Sequence, residues 1–243
     1  MKNHLKFLVM AAFTAVFVFA SCSKDDDDNN TSSTEYKAPS VAHQNYAVEI
    51  PEALAAKVQN DNYLMGLTGA LQSVNYLAQA CFAQFPIDTK ELGNASSKSN
   101  SDGSVTYSVS IQQGIFYLTY FYSSAKSSWT AEFQYTGTNS KTKIAYVEET
   151  GNAGKAEYYY DSGKVALKYF WTDEKTGQKI VVTGYDEQGK VDLTWNIVSN
   201  DDKSGSMKAY DAANVLIYDI TWKADGTGSY TINSEDGTIK GTF

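Results

Sequence analysis

Apolar residues recur at spacings of three and four along positions 51–85, which is the period of an amphipathic helix. Proline suits the first position of a helix and an acid suits its first turn, so Pro51 and Glu52 predict the start. The polar run 60–62 predicts a break into two helices, and Pro86 predicts the end of the second. The apolar positions of this pattern are Leu54, Val58, Leu64, Leu67, Leu71, Val74, Leu77, Cys81 and Phe85.

Two glycines, Gly66 and Gly69, fall inside the second predicted helix. Each glycine lowers the stability of a helix by about 1 kcal/mol relative to alanine, so a favourable contact should offset this cost. We expect that the glycines let this helix approach another backbone closely.

The pattern changes to period two after a polar loop at 87–103, and the alternation continues through residues 104–243. Alternation predicts strands with one apolar and one more polar face, and acidic glycine turns such as 161–163 and 225–226 separate them. Strand and turn recur about every 10 to 13 residues, which is typical of an antiparallel β-meander. The clearest alternating runs are Val165–Trp171, Val191–Ile197 and Leu216–Trp222.

The predicted fold class is therefore mainly β with an N-terminal helical segment. We expect a single α+β domain over 46–243, helical over 51–85, with about ten or eleven antiparallel strands over 104–243. A sheet of that size has to curl to bury one face. It either closes into a barrel or stays open as a half-barrel packed on the helix.

A longer repeat is superimposed on this alternation. Tyr135, Tyr160, Tyr185 and Tyr210 are each 25 residues apart, and aspartate follows the last three. Two strands and two turns fit in 25 residues, so the repeating unit is predicted to be one β-hairpin.

The net charge and the type of basic residue restrict the classes of ligand that the chain is expected to bind. Residues 1–21 contain two lysines and no acid, so their removal changes the net charge from −8 to −10. Nucleic acid and anionic membrane surfaces are poor partners for such a chain. The basic residues are all lysines, and without arginine no side chain offers the bidentate fork that suits phosphate or carboxylate, so phosphorylated substrates are not expected.

Catalytic chemistry has few candidate residues in the sequence. Cys81 lies in an apolar segment and His43 in a polar one, so neither serves a nucleophilic triad or a zinc site. Oxygen-bearing residues at 200–205, with Asp211, have the composition of a calcium loop, but this run also suits a hairpin connection. We therefore predict no catalytic residues, no metal site, no cofactor and no enzymatic activity.

Aromatic side chains are the most informative feature for binding. Tyrosine, phenylalanine and tryptophan together make up 14% of the chain. Residues 116–122 are aromatic or aliphatic at nearly every position, so some rings must lie on the face of the sheet that is not core. Exposed amphipathic rings on a rigid sheet often form binding surfaces, although tyrosine also suits strand surfaces, where cross-strand aromatic pairs stabilise a sheet. The candidate ligand-binding residues are Trp129, Trp171, Trp195, Trp222, Tyr158 and Tyr160.

The first 21 residues have the pattern of a secretory signal peptide. Lysines precede an apolar run over 7–20, and the small residues Ala20 and Ser21 stand before Cys22. The apolar run is 14 residues long, shorter than the roughly 20 that cross a bilayer as a helix. The following residues, 22–45, are polar and predict a flexible tether.

Residues 19–22, Phe-Ala-Ser-Cys, resemble the lipobox of bacterial lipoproteins, in which the cysteine is acylated and becomes the new N-terminus. The residues behind it resemble the acidic export signal of Bacteroidetes surface lipoproteins. These resemblances imply that a lipid on Cys22 anchors the chain in the outer membrane, facing the extracellular medium. The export-signal residues are Lys24, Asp25, Asp26, Asp27 and Asp28.

Three functions fit these features. The first is a non-catalytic surface lipoprotein that binds an extracellular ligand, such as a glycan, through aromatic residues on a curved sheet. The second is a half-barrel carrier of a lipid or other apolar ligand with the helix as lid, since the element order resembles half-barrel lipoprotein carriers of the Gram-negative periplasm. The third is a structural or adhesive surface protein.

Overall fold

The computed structural model describes residues 48–58, 61–83, 96–123 and 125–243. Its helices are α1, Glu52–Val58, and α2, Asn62–Ala83. Helix α1 begins directly after Pro51, whose carbonyl accepts hydrogen bonds from the next turn. Asp61 caps α2, because its carboxylate accepts hydrogen bonds from the backbone N–H groups of Tyr63 and Leu64. The prediction of two helices in this segment is confirmed, whereas the predicted end at Pro86 lies outside the described residues.

Thirteen strands form one antiparallel sheet in strict chain order, each paired with the next. The prediction of a mainly β chain with an antiparallel meander is confirmed, and the sheet is open rather than a closed barrel. There are more strands than the ten or eleven expected, and β1 lies inside the predicted loop 87–103. The strands are β1 Ser96–Ser99, β2 Val105–Ile111, β3 Gly114–Tyr122, β4 Ser127–Tyr135, β5 Thr142–Thr150, β6 Ala153–Tyr159, β7 Val165–Glu174, β8 Gly177–Tyr185, β9 Val191–Asn200, β10 Gly205–Asp211, β11 Leu216–Trp222, β12 Gly228–Ser234 and β13 Gly237–Thr242.

One face of this sheet forms the core, and we call it the inner face. The strand register places its apolar side chains in continuous rows, because residues directly opposite one another point to the same side. One row runs from Val105 on β2 to Ile239 on β13. Its members in between are Tyr120, Trp129, Val147, Ala156, Tyr169, Val182, Trp195, Ala209, Tyr218 and Ile232.

Both helices pack on the inner face. Leu54, Leu64, Leu71 and Val74 are buried in one cluster with the rings of the sheet, as the helical pattern predicted. Gly226, in the turn before β12, has φ +76 and lies so close to α1 that a Cβ would meet Ala53 and Leu54.

Polar contacts fasten the helical segment to the sheet near the junction of its two helices. Tyr230 donates a hydrogen bond of 3.3 Å to the Asp61 carboxylate, and the Lys57 ammonium donates one of 3.2 Å to the carbonyl of Gly226. The Asn75 amide exchanges two hydrogen bonds with the backbone of Val48. The helical segment is therefore bound both to the sheet and to itself.

The prediction for Gly66 and Gly69 was wrong. Both are exposed, and among the described residues nothing lies within 4 Å of a Cβ built at either position. The glycine that allows the close approach is Gly226, which belongs to the sheet. The periodicity of a helix does not show which residue of the neighbouring element leaves room for the two backbones to approach.

The hairpin repeat is present, but its register differs from the spacing of the tyrosines. Tyr160 is the first residue of the turn after β6. Asp186 and Asp211 are the first residues of the turns after β8 and β10. Tyr159 is therefore the structural equivalent of Tyr185 and Tyr210. A β-bulge lies directly before each of these three tyrosines on its strand.

Several predictions fall outside the described residues. They are the signal peptide 1–21, the tether 22–45, Cys22, Lys24 and the aspartates Asp25, Asp26, Asp27 and Asp28. Within the described ranges, no helix combines the length and apolar character that a membrane span requires.

Candidate functional site

The second face of the sheet, which we call the outer face, carries rings as well as charges. Tyr117 and Phe121 point outward from β3, and Tyr146 and Tyr159 from β5 and β6. Phe170 on β7 has 44% of its surface exposed. The expectation that residues 116–122 place rings on both faces is confirmed.

An open hollow of about 470 Å³ lies on the outer face over β2–β4. Phe121 supplies its apolar wall, Asp102 and Lys126 supply charges, and serine and threonine hydroxyls supply the remaining polar groups. The turns β1–β2 and β3–β4 lie at the same end of the sheet, which brings Asp102 close to Lys126. The lining residues are Asp102, Ser104, Thr119, Phe121, Lys126, Ser128 and Thr130.

The wall on the β2 side is held by a chain of hydrogen bonds. The Asp102 carboxylate accepts bonds from the hydroxyl and the N–H of Ser104, at 2.7 and 2.9 Å. These bonds hold the pKa of Asp102 below its ordinary value. The Asn100 amide donates to the hydroxyls of Ser104 and Thr106, and Thr106 bonds to Thr119 at 2.9 Å. The polar groups on this side are thus preorganised.

The opposite rim of the hollow is a cluster of charged and phenolic groups. Lys126 forms an ion pair of 2.6 Å with Glu148, whose carboxylate also accepts a hydrogen bond from the Tyr146 hydroxyl. The Lys126 bond is the main cause of a lowered pKa at Glu148, and the same bond raises the pKa of Lys126. Burial raises the pKa of Tyr146, and its bond to Glu148 adds to that shift.

The arrangement of these groups suits a polyhydroxylated ligand. A ring such as Phe121 stacks on the C–H face of a sugar, while a carboxylate, an ammonium and hydroxyls bond to its OH groups. Because the hollow is shallow and open, a polymer can cross it without its ends being enclosed.

The predicted tryptophans lie on the inner face. Trp129, Trp171 and Trp222 are 5%, 0% and 1% exposed, and Trp195 is partly buried against the same core. Trp222 also donates a 3.0 Å hydrogen bond to the carbonyl of Lys203. The three buried rings offer no surface to a ligand, while Trp195 is only partly buried.

The two predicted tyrosines differ in their surroundings. Tyr158 packs against the core on the inner face. Tyr160 is half-buried at the sheet end, where it donates a 2.6 Å hydrogen bond to the carbonyl of Tyr185. Burial raises the pKa of Tyr160, and the nearby acids Glu187, Asp186 and Asp192 contribute. The structure does not bring these two tyrosines together with the hollow.

The turn 200–205 does not form a calcium loop with Asp211. Asp211 stands at the opposite end of β10, about 20 Å along the strand. The Asp202 carboxylate accepts bonds from Ser204, and that of Asp211 accepts bonds from its own turn. In the part of the chain that the structure describes, no group of three or more His, Cys, Asp or Glu could hold a metal ion.

The hollow was missed by sequence reasoning, although part of its signal was present. Phe121 belongs to the run whose rings have to occupy both faces, but for the polar residues 100–103 the sequence predicts only a loop.

A comparison with protein families finds no matching family, and a comparison with curated proteins finds no match either.

Proposed function

We propose that the chain is a non-catalytic, surface-exposed lipoprotein that binds an extracellular glycan at the hollow on its outer face. The observation that carries this proposal is the grouping of Phe121, Asp102 and Lys126 with four hydroxyl-bearing residues. The aromatic binding surface expected from composition is thereby assigned to Phe121 and its neighbours.

The carrier function has less support, because large side chains of the inner face are fully buried. Within the described residues, Trp171, Tyr169, Ile180 and Ile197 are each 0% exposed. Closely packed side chains at these positions take up space that an acyl chain would need. Such packing is equally compatible with a structural surface protein, so ligand binding itself has to be measured.

The glycan proposal is tested with a microarray of neutral and acidic polysaccharides, followed by calorimetry on any polymer that binds. Phe121→Ala and Asp102→Asn should each lower the affinity at least tenfold, because each removes a group that faces the sugar. Tyr135→Ala is the control, since Tyr135 is an exposed ring at the far end of β4 that does not line the hollow. Equal losses for Phe121→Ala and Tyr135→Ala, or no binding on the array, would contradict the proposal.

The location of the protein is tested separately in cells. Cys22→Ala should release the chain from membranes, because it removes the acylated thiol. Replacing Asp25, Asp26, Asp27 and Asp28 with alanine should leave the protein anchored but protected from protease added to whole cells. A Cys22→Ala chain that stays in the membrane fraction would reject the lipid anchor.

A further inference from the structure

We propose that the bound glycan is acidic, with uronate carboxylates that bind the ammonium groups of Lys143 and Lys155 beside the hollow. This inference rests on the proposed glycan function and names the class of polymer. The two lysines lie on the outer face of β5 and β6 and point to the same side as the hollow.

Both ammonium groups are held around one ring. The Lys143 nitrogen lies 4.9 Å from the centre of the Tyr146 ring and the same distance from that of Tyr159. The Lys155 nitrogen lies 5.4 Å from the centre of the Tyr146 ring. Cation–π contacts of this kind fix a lysine side chain while leaving N–H groups available to a further acceptor.

The surrounding charges do not balance. Lys126 is paired with Glu148 at 2.6 Å, and Lys168 with Glu157 at 3.5 Å. Lys143 and Lys155 form no ion pair within 4.0 Å with any carboxylate of the described residues. Glu132 stands directly opposite Lys143 but pairs with Lys141 at 3.8 Å. The group therefore holds five ammonium groups against three carboxylates, in a chain whose net charge is −8. Two positive charges kept close together in an acidic protein form a local site for an anion.

The lysines lie on the path of a polymer that leaves the hollow. Ser128 of the hollow stands directly opposite Glu148, and Glu148 directly opposite Lys155. Thr130 of the hollow stands directly opposite Tyr146. Neighbouring strands are about 4.8 Å apart, so a chain running across the strands reaches both lysines within about 10 Å of β4.

Lysine chemistry favours a polymer of carboxylates over a single phosphate group. An ammonium is a point charge without the bidentate fork of arginine, so one exposed contact adds little affinity. A polymer with an acid on every residue offers many such contacts at once, and linked contacts add up to a measurable affinity. Uronate chains supply that regular charge together with sugar rings for Phe121.

The test uses polygalacturonate and the same polymer with its carboxyl groups methyl-esterified, both titrated into the intact lipid-free protein at low and high salt. Wild type should bind the acidic form about tenfold more tightly at low salt, as two exposed contacts allow. The Lys143→Gln/Lys155→Gln variant should lose that preference. The Lys179→Gln/Lys240→Gln variant, with the same charge change at exposed positions outside this group, should keep it.

Equal binding of both polymers by wild type would overturn the uronate assignment, and so would an unchanged preference in the Lys143→Gln/Lys155→Gln variant. Circular dichroism of each variant shows whether a loss reflects unfolding. If a neutral glycan still binds through Phe121, the proposed function stands and only this inference fails. If no polysaccharide binds in either form, both fail.

Discussion

The indole ring of Trp171 occupies the space that a side chain on Gly154 would need, and the two residues stand directly opposite each other on β7 and β6. Trp222 covers Gly205 in the same way, and Tyr230 covers Gly241. Each ring fills the gap left by a glycine in the neighbouring strand, which is how aromatic residues offset the weakness of glycine in a sheet. The tryptophans are thereby explained as parts of the core.

Gly154→Ala should destabilise the fold by about 1–3 kcal/mol, because the new methyl group forces the Trp171 ring out of its position. Urea unfolding followed by far-UV circular dichroism measures the change. In a Trp171→Leu background the same substitution should cost less, since the clashing ring is absent. An equal cost in both backgrounds would show that the ring is not the cause.

Gly66→Ala and Gly69→Ala should each stabilise the protein by about 0.5–1 kcal/mol. Both positions are exposed in α2 with open space around a Cβ, so alanine gains helix propensity without a clash. The midpoint of urea unfolding reports the effect. A loss of stability would mean that another part of the chain or a partner packs against these glycines.

The sequence was sufficient for the two helices and for most of the strands, although not for β1. The 3.6-residue period located Leu54, Leu64, Leu71 and Val74, all of which are buried. The two-residue period located the strands, because alternation directly encodes which side chains face the core. These features depend on local spacing, which a single sequence contains.

The hollow depends on information that spacing does not contain. Asp102 and Lys126 come together only because two separate turns lie at one end of the sheet. The tyrosine repeat misleads by one residue, because Tyr160 begins the turn after β6 whereas Tyr185 and Tyr210 lie on their strands, each directly after a bulge. Register and bulges are set by pairing between strands, so they become visible only in the folded sheet.

Lys203→Gly should stabilise the protein by about 0.5 kcal/mol. Lys203 has φ +68 at the turn position that Gly103 holds with φ +83 in the equivalent turn at 100–104. The left-handed conformation costs a residue with a Cβ about 1–2 kcal/mol, and the greater freedom of glycine in the unfolded chain offsets part of that gain. Lys203 also pairs with Glu49, but both side chains are more than half exposed, so this pair contributes little.

The matched control for this turn is Lys203→Ala, which removes the ammonium but keeps the strained conformation. It should leave the free energy of unfolding nearly unchanged, as measured by thermal and urea unfolding. If Lys203→Gly proves less stable than Lys203→Ala, the backbone strain is not relieved by glycine and the equivalence of the two turns is wrong.

The ion pair at the rim of the hollow should make stability depend on acid pH. The pKa of Glu148 is lowered from its ordinary value of 4.5, first by the Lys126 bond and then by the Tyr146 hydroxyl. A carboxylate with a lowered pKa in the folded state stabilises the fold above its unfolded pKa, and that contribution disappears as the pH falls through the folded pKa. The loss should therefore begin near pH 4.5 and continue below it.

Carbon-detected NMR titration of the Glu148 carboxyl measures this shift directly. Lys126→Met should move the pKa of Glu148 up towards its ordinary value, while Tyr146→Phe should move it less, because the lysine makes the larger contribution. Lys208→Met, which removes a lysine paired with Asp219 elsewhere on the outer face, should leave Glu148 unchanged. An unshifted Glu148 in wild type would mean that Lys126 is free in solution, and the hollow would then present a mobile cation in place of a fixed ion pair.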